Sequence, residues 1–341
     1  MKKRWFPFSD LYALLLCLNL LFISGLLYSD TISIAVENDF FAGTDMHYTN
    51  GIRIGWLGNP LKGSDIDDAS GIYPGTIRNA VKIIPFLSLN EGKSYNVGFS
   101  VYQMMFTPED ITKTEPDYND IPYAGHLLFS FFLFEHDEHS YSEFKFQLGI
   151  VGPASGAGTA QRTFHKLIGA ITPEGWDTQL ENHATFGIAY EHGIRKWEKS
   201  YKGGFSSDLI GNVGFHLGNF YSGASLGSAW RFGKNYPKNF NVYYSGIINE
   251  NALLGLQRER RGFGWSVNFG LFVDVIAYLY ITDAASDYNI NRGYFLGRAV
   301  VSLSFYLGNF QLSVTKQFRT SLASSQGNTL SFGAVSLLWK F

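Results

Sequence analysis

A short stretch near the N-terminus carries an unusual density of polar side chains. Residues 37–51 read ENDFFAGTDMHYTNG, which places carboxylates, amides, a hydroxyl and an imidazole between two strand-like segments. Short strands seldom spare so many polar groups for packing alone. We therefore interpret this stretch as the first half of a hydrolytic site on the rim of a membrane barrel. The second half is expected far along the chain, in residues 152–183.

The second stretch begins where a strand pattern breaks. Residues 152–156 read GPASG, and a short helix is predicted to follow from Thr159 to Gly169. Thr159 is a candidate N-cap and Gly169 a candidate stop. Phe164 and Leu167 belong to an apolar stripe that we expect to hold this helix against the barrel wall.

Two polar residues of the predicted helix could carry the chemistry. Gln161 and His165 lie four residues apart and therefore share a face. An imidazole fixed on such a helix is suited to act as a general base. The spacing alone fits equally well a helix that turns a polar face to solvent, and this alternative stays open.

The composition indicates which class of protein must position these residues. The chain has 341 residues, a formal net charge of −2, and 20 Tyr, 30 Phe, 7 Trp and 37 Gly. A slightly acidic chain gives no sign of nucleic-acid binding through a basic surface. Enrichment in aromatic residues and glycine is typical of strands that alternate between lipid and water.

The N-terminus has the pattern of an export signal. Basic residues at positions 2–4 precede the apolar run Leu11–Ile23, and small residues follow up to Ser29. We expect residues 1–29 to be a signal peptide and residues 30–341 to form a barrel. Since no later segment offers the roughly 20 apolar residues of a spanning helix, membrane insertion would require a closed barrel.

Alternation with period two is the strongest signal in the remaining chain. In residues 263–273, large apolar side chains alternate with small or polar ones. A soluble sandwich could show some of this pattern, but polar faces this complete favour a barrel with lipid outside. We predict an all-β fold, a transmembrane antiparallel β-barrel with a short helix in an extracellular loop. Its twelve strands are expected to start near Thr31, His47, Lys93, Tyr123, His139, Ala184, Ser206, Ser222, Phe263, Gly293, Phe310 and Leu330.

An even number of strands fixes which loops share a side. Both termini then lie in the periplasm, and segments 40–46, 106–122 and 152–183 all face outwards. The long connection 58–92 falls on the periplasmic side. The last strand ends on Phe341, and an aromatic end of this kind resembles the signal that the outer-membrane barrel assembly machinery recognises. The expected location is the bacterial outer membrane.

The polar elements, taken in order, resemble a known family. It is the family of lipid A 3′-O-deacylases of Gram-negative outer membranes, and the similarity runs through most of the N-terminal half. The matching elements are Glu37-Asn38-Asp39, Tyr48-Thr49, Thr107-Pro108 with Lys113, Gly152-Pro153, Gln161, His165, Gly169, Trp176, Gln179 and Glu181-Asn182.

The resemblance implies a calcium-dependent esterase that removes a 3′-linked acyl chain from the lipid A of lipopolysaccharide. His165 matches the residue that activates water. Calcium would polarise the ester carbonyl, with Asp39 as the leading ligand and the Asn38 carbonyl nearby. Lys113 could steady the oxyanion or bind a phosphate of the glycolipid. The positions that match the family's active-site lining are Asn38, Asp39, Thr49, Lys113 and Gln161.

Two features of the sequence bear on this expectation. In a regular strand Asn38 and Asp39 point to opposite faces, so they can serve one site only if the strand ends or bulges there. Six residues after His165 the family carries a glutamate that supports catalysis, whereas this chain has Ile171. Glu174 or Glu181 would be the replacements that could orient the imidazole.

Two other functions remain open. Residues 47–51 are similar to an element of outer-membrane phospholipase A, another calcium-dependent barrel; there Thr49 would be the nucleophile and His47 the base. The other alternative is a non-enzymatic barrel that binds lipopolysaccharide or forms a pore. His165 separates the two enzymes, because it is indispensable only in the first.

Overall fold

The computed structural model describes residues 30–38, 47–84, 87–240, 262–323 and 329–341. The predicted signal peptide therefore lies outside the described residues. Within these ranges the chain forms one antiparallel sheet of thirteen strands. They are β1 Thr31–Asn38, β2 His47–Leu57, the two-residue β3 Leu61–Lys62, β4 Ser94–Thr107, β5 Ala124–His136, β6 Ser140–Val151, β7 His183–Ser200, β8 Phe205–Gly218, β9 Tyr221–Lys234, β10 Phe263–Leu279, β11 Phe295–Leu307, β12 Phe310–Thr320 and β13 Thr329–Lys340.

The sheet closes on itself. Strand β1 pairs with β2 on one side and with β13 on the other, β2 pairs with β4, and every later strand pairs with its neighbour in sequence. Closure satisfies the backbone hydrogen bonds that an open edge would expose to lipid. The prediction of a twelve-stranded barrel is confirmed, because each long strand begins within two residues of its expected position.

The two faces of the wall differ as the alternation predicted. Along β10, Val267, Phe269 and Leu271 are exposed on the outside, whereas Ser266 and Asn268 are buried in the lumen. Strand β12 repeats the pattern with period two. An apolar exterior around a polar interior is the arrangement of a transmembrane barrel.

The barrel has two unlike ends. We call the end that carries Asp30 and Phe341 the inner end; there the Phe341 N–H donates to the Asp30 carbonyl at 3.0 Å. The opposite, outer end carries the connections 108–123, 152–182 and 280–294. The first and last of these touch, because the Asn289 N–H donates to the carbonyl oxygen of Tyr118 at 2.6 Å.

A buried ionic network fills the lumen near the inner end. Arg231 donates to the Asp208 carboxylate from Nε at 2.8 Å, and Nε of Arg195 lies 3.1 Å from the same carboxylate. Both guanidiniums also bind Asn239, which follows β9 and turns back into the barrel. Phe240, beside it, packs on Tyr141 with ring centroids 5.0 Å apart. The lumen is thus occupied by side chains at this end.

Short helices lie at both ends of the barrel. They are α1 Gly63–Ile66, α2 Ile72–Ile83, α3 Ala157–Ile168 and α4 Tyr280–Asp283, with 3-10 turns at Pro153–Ser155, Gly175–Thr178 and Lys202–Gly204. Helix α3 contacts β4 and β5 at the outer end, while α2 belongs to the inner end. Within the described part of the chain, no helix is long and apolar enough to cross a membrane.

Candidate functional site

Two glycines in the left-handed backbone conformation flank helix α3. Gly156 is its N-cap with φ +76°, and Gly169 is its C-cap with φ +70°. This backbone conformation suits glycine because no Cβ opposes it. The predicted stop at Gly169 is confirmed. The predicted start is wrong, since Thr159 lies inside the first turn and the cap is made earlier, where the 3-10 turn Pro153–Ser155 ends.

The polar face of α3 is buried. Gln161 is 1% exposed and His165 4% exposed, so the alternative of a solvent-facing polar side is wrong. The apolar residues behave in the opposite way to our expectation, because Phe164 and Leu167 are exposed. The helix therefore presents its amide and imidazole to the protein and an apolar surface to the surroundings.

The imidazole of His165 is held by the main chain. Its Nδ1 lies 2.6 Å from the carbonyl oxygen of Ile171. A carbonyl only accepts hydrogen bonds, so in the neutral ring the proton sits on Nδ1 and Nε2 keeps its lone pair. The sequence predicted that Glu174 or Glu181 would orient the imidazole. At Nδ1 the backbone carbonyl of residue 171 does this instead.

The amide of Gln161 is oriented by an indole. Trp176, itself 1% exposed, donates from Nε1 to Oε1 of Gln161 at 2.6 Å. This contact assigns the oxygen and nitrogen of the amide, because the indole N–H can only donate. Among the described residues, Nε2 of Gln161 is buried without a hydrogen-bond partner. A buried donor of this kind is costly unless something binds it.

Trp176 also joins two loops. Its ring packs on Tyr123 with centroids 5.1 Å apart, and Tyr123 donates from its hydroxyl to the Ile111 carbonyl at 3.1 Å. A Cβ added at Gly175 would lie 2.4 Å from the Tyr123 ring and 2.9 Å from the carbonyl oxygen of Lys113. Burial raises the pKa of Tyr123 to about 12, so its hydroxyl remains a neutral donor. The loop after β4 is thereby locked onto the segment that carries Trp176.

The ammonium of Lys113 is committed to a neighbour. Its Nζ lies 2.7 Å from the carboxylate of Asp117 in an exposed ion pair. The hydrogen bond raises the pKa of Lys113 above its ordinary value and lowers that of Asp117. The structure therefore brings the backbone of Lys113 to the site, while its side chain is paired at the surface.

The remaining predicted residues lie at the outer ends of adjacent strands. Asn38 is the last described residue of strand β1; Asp39, and with it the expected strand end or bulge, lies outside the described residues. Asn38 is opposite Asn50 of β2, and a register shift between Tyr48 and Asn50 places a β-bulge at Thr49. The Thr49 side chain also lies outside the described part. Bulges often occur next to active sites.

The sheet order explains how distant segments meet. Strands β1, β2, β4 and β5 are consecutive neighbours in the barrel wall, and α3 rests on the last two. The ends of these strands carry Asn38, Thr49 and the loop of Lys113, and α3 carries Gln161 and His165. Sequence reasoning named these five residues, but it gave no role to Trp176 or to the Ile171 carbonyl.

The oxygen donors at the strand end suit a hard cation. Asn38 offers amide and carbonyl oxygens, and the following Asp39 offers a carboxylate; Ca²⁺ prefers such ligands. Within the ranges that the structure describes, no group of three or more His, Cys, Asp or Glu side chains could hold a metal ion.

A family model and a solved structure relate this chain to known proteins. A search of curated proteins finds no match. The structure of LpxR from Salmonella typhimurium matches with a TM-score of 0.71 at 16% identity, over 91% of this chain and 100% of that one. The beta domain of the Bordetella autotransporter BrkA matches with a TM-score of 0.45 at 10% identity, over 92% of this chain and 99% of that one. The family model described as "Outer membrane protein LpxR" matches residues 11–341. The chain therefore belongs to the LpxR family and is an outer-membrane β-barrel.

Proposed function

We propose that this protein is an outer-membrane esterase that removes a 3′-linked acyl chain from lipid A. The observation that carries the proposal is the contact between His165 and the Ile171 carbonyl, 2.6 Å long, which leaves Nε2 as a base. A base fixed at the outer rim of such a barrel lies at the level of the outer leaflet, where lipid A resides. The resemblance to lipid A 3′-O-deacylases supplies the substrate and the bond.

The reaction follows from the protonation state of His165. Nε2 takes a proton from water, and the resulting hydroxide attacks the ester carbonyl to form a tetrahedral oxyanion. Collapse of this intermediate expels the sugar alkoxide, which receives the proton back from the imidazolium. The products are a free fatty acid and an alcohol. The Nδ1 hydrogen bond to Ile171 persists in both protonation states, since Nδ1 is a donor in each.

Gln161 is the proposed oxyanion donor. Its Nε2 is a buried amide nitrogen without a hydrogen-bond partner among the described residues, and Trp176 fixes its direction. A donor oriented before the reaction stabilises developing negative charge without reorganisation.

The surroundings of the base suit an acyl substrate. Phe164, Leu167 and Ile171 all expose apolar side chains around the end of α3. Exposed apolar groups at this depth have acyl chains as natural neighbours. Lys113, on the adjacent loop, is our candidate to bind a phosphate of the glycolipid. To do so, its ammonium would give up the ion pair with Asp117.

Calcium is the proposed cofactor. Asn38 and Asp39 would hold it, and when bound it would polarise the ester carbonyl as a Lewis acid. The residues of this chain then supply the base, the oriented amide and the apolar rim.

The other functions are less well supported. A phospholipase that uses Thr49 as nucleophile is supported only by the β-bulge at that position, since a bulge can redirect a side chain. A pore is disfavoured by the filled lumen, because Arg195, Asp208 and Arg231 are buried with Phe240 near the inner end.

Lipid A from cells expressing the protein tests the proposal directly. We expect mass spectrometry to show loss of one acyl chain at the 3′ position, and the purified barrel in micelles to need Ca²⁺ rather than Mg²⁺ after chelation. Unchanged lipid A, with a folded barrel and calcium supplied, would contradict the proposal. Release of fatty acid from phospholipid alone would favour the phospholipase.

Trp176→Phe tests the orientation of Gln161. The variant keeps the ring contact with Tyr123 but removes the indole N–H, so the Gln161 amide loses its fixed direction. We expect kcat to fall about tenfold with little change in KM, since one hydrogen bond to a buried group is lost. Tyr123→Phe is the matched control, because it removes a hydroxyl from the same cluster but no contact to Gln161. Equal losses in both variants would mean that Trp176 only supports the loop.

A further inference from the structure

Helix α2 covers part of the outer wall of the barrel at its inner end. Its buried residues Ile77 and Val81 form one apolar cluster with Val97 of β4 and Leu133 of β5. Val97 points out of the barrel, because Val101, four residues farther along the same strand, is exposed on the same face. Leu133 is the cross-strand partner of Val97 and therefore points the same way. The helix therefore lies on the side of the wall that faces the membrane.

Aromatic contacts give the depth of this helix. The Tyr73 ring of α2 meets the edge of Trp56 with centroids 6.2 Å apart, and Trp56 stacks on Phe99 at 5.2 Å. The aromatic belt continues around the inner end in the pairs Phe205–Phe232, Phe232–Trp265, Phe263–Phe305 and Phe310–Trp339. Such girdles mark the level of the lipid headgroups. Tyr73 joins α2 to that level.

The apolar surface of α2 is wider than the barrel covers. Ile72 is 80% exposed and Ile83 is 78% exposed. At about 100° per residue they come within about 20° of each other on the helical wheel. They lie about 120–140° from Ile77, so the wall cannot reach them. The ridge that they form beside the lipid-facing surface also carries Thr76 and Asn79, so it is apolar at its two ends.

The basic residues of α2 lie away from that ridge. Arg78 is turned back to α1 and the segment after it, where its Nη1 donates to the Ala69 carbonyl at 2.8 Å. Lys82 is exposed on the same side of the wheel as Arg78. A short helix with one basic edge, and with exposed isoleucines at both ends of another, is suited to the boundary between headgroups and acyl chains.

We propose that α2 is an interfacial helix seated in the periplasmic leaflet, with Ile72 and Ile83 in contact with phospholipid acyl chains. Lipid is the occupant because the ridge continues the lipid-facing wall at the height of the aromatic girdle. Lys82 is then placed near the phosphates, where its long side chain reaches the aqueous boundary. Helix α2 is then a membrane-anchored part of the barrel rather than part of a free periplasmic loop.

Single cysteines labelled with the fluorophore NBD test whether α2 lies in the membrane. The sequence has one cysteine, Cys17, so a Cys17→Ser background allows Ile72→Cys and Ile83→Cys to be labelled alone. Asp68→Cys, on the exposed segment before α2, is the matched control. The labelled barrels are inserted into phosphatidylethanolamine–phosphatidylglycerol vesicles with or without spin-labelled phospholipid.

We expect blue-shifted emission at positions 72 and 83 and loss of at least half of it with spin-labelled lipid, while position 68 changes little. Quenching at 72 and 83 no greater than at 68 would overturn the proposal. Protection of 72 and 83 from aqueous iodide without quenching by lipid would also overturn it, since a protein surface or a second copy would then cover the ridge.

Discussion

His165→Ala is expected to reduce lipid A deacylation by about 10³-fold, the range of a lost general base. The change corresponds to about 4 kcal/mol in the activation free energy. It should appear in kcat with a smaller change in KM, because the imidazole acts on water rather than on the bound lipid. Mass spectrometry of lipid A from cells, with initial rates on purified protein, measures it. Heat-modifiable migration in gels confirms that the variant barrel is folded.

Ile171→Ala is the matched control for this experiment. The contact to Nδ1 comes from the carbonyl of residue 171, and its side chain is exposed. The kcat should therefore stay within about threefold of the wild type, a change small beside the loss of a base, while a lost apolar contact with the acyl chain would appear in KM. A loss at position 171 as large as at His165 would contradict the main-chain explanation. Full activity of His165→Ala together with inactive Thr49→Ala would instead support the phospholipase.

Asp208→Ala is expected to destabilise the barrel strongly. The carboxylate lies between the guanidiniums of Arg195 and Arg231, and all three side chains are buried. Removing one partner of a buried pair costs about 3–5 kcal/mol, because the remaining charges are left without compensation. Here two cations lose the same partner. Tryptophan fluorescence during urea unfolding of the barrel in micelles measures the loss.

An exposed ion pair provides the comparison. Asp177 pairs with Arg162 at 3.2 Å, but its side chain is 88% exposed. Asp177→Ala should leave the unfolding midpoint almost unchanged, since water and salt screen such pairs. If both variants unfold at the wild-type midpoint, the network at Asp208 does not stabilise the fold.

The strands could be predicted closely because their signal is local. Period-two alternation repeats in every strand, so each start was placed from its own residues, and the even number of strands then put the three polar loops on one side. Helix α2 could not be placed in the same way. Its contact with Val97 and Leu133 joins segments that only the closed sheet brings together.

The parts of the site that consist of side chains could be predicted from the sequence in part. The four-residue spacing predicted that Gln161 and His165 share a face of the helix. The burial of that face had no such signal, because Phe164 and Leu167 suggested the opposite orientation. The direction of the Gln161 amide depends on Trp176, fifteen residues away and in a separate 3-10 turn.

The carbonyl that accepts the hydrogen bond from His165 is a backbone group, which every residue has. Substitutions at position 171 can change the side chain freely and still leave the acceptor in place, provided that the loop keeps its path. A chain can then lose an acidic residue at this point in evolution and retain its chemistry. Sorting relatives into active and inactive by the letter at this position would misclassify such chains; the course of the backbone after Gly169 is the better criterion.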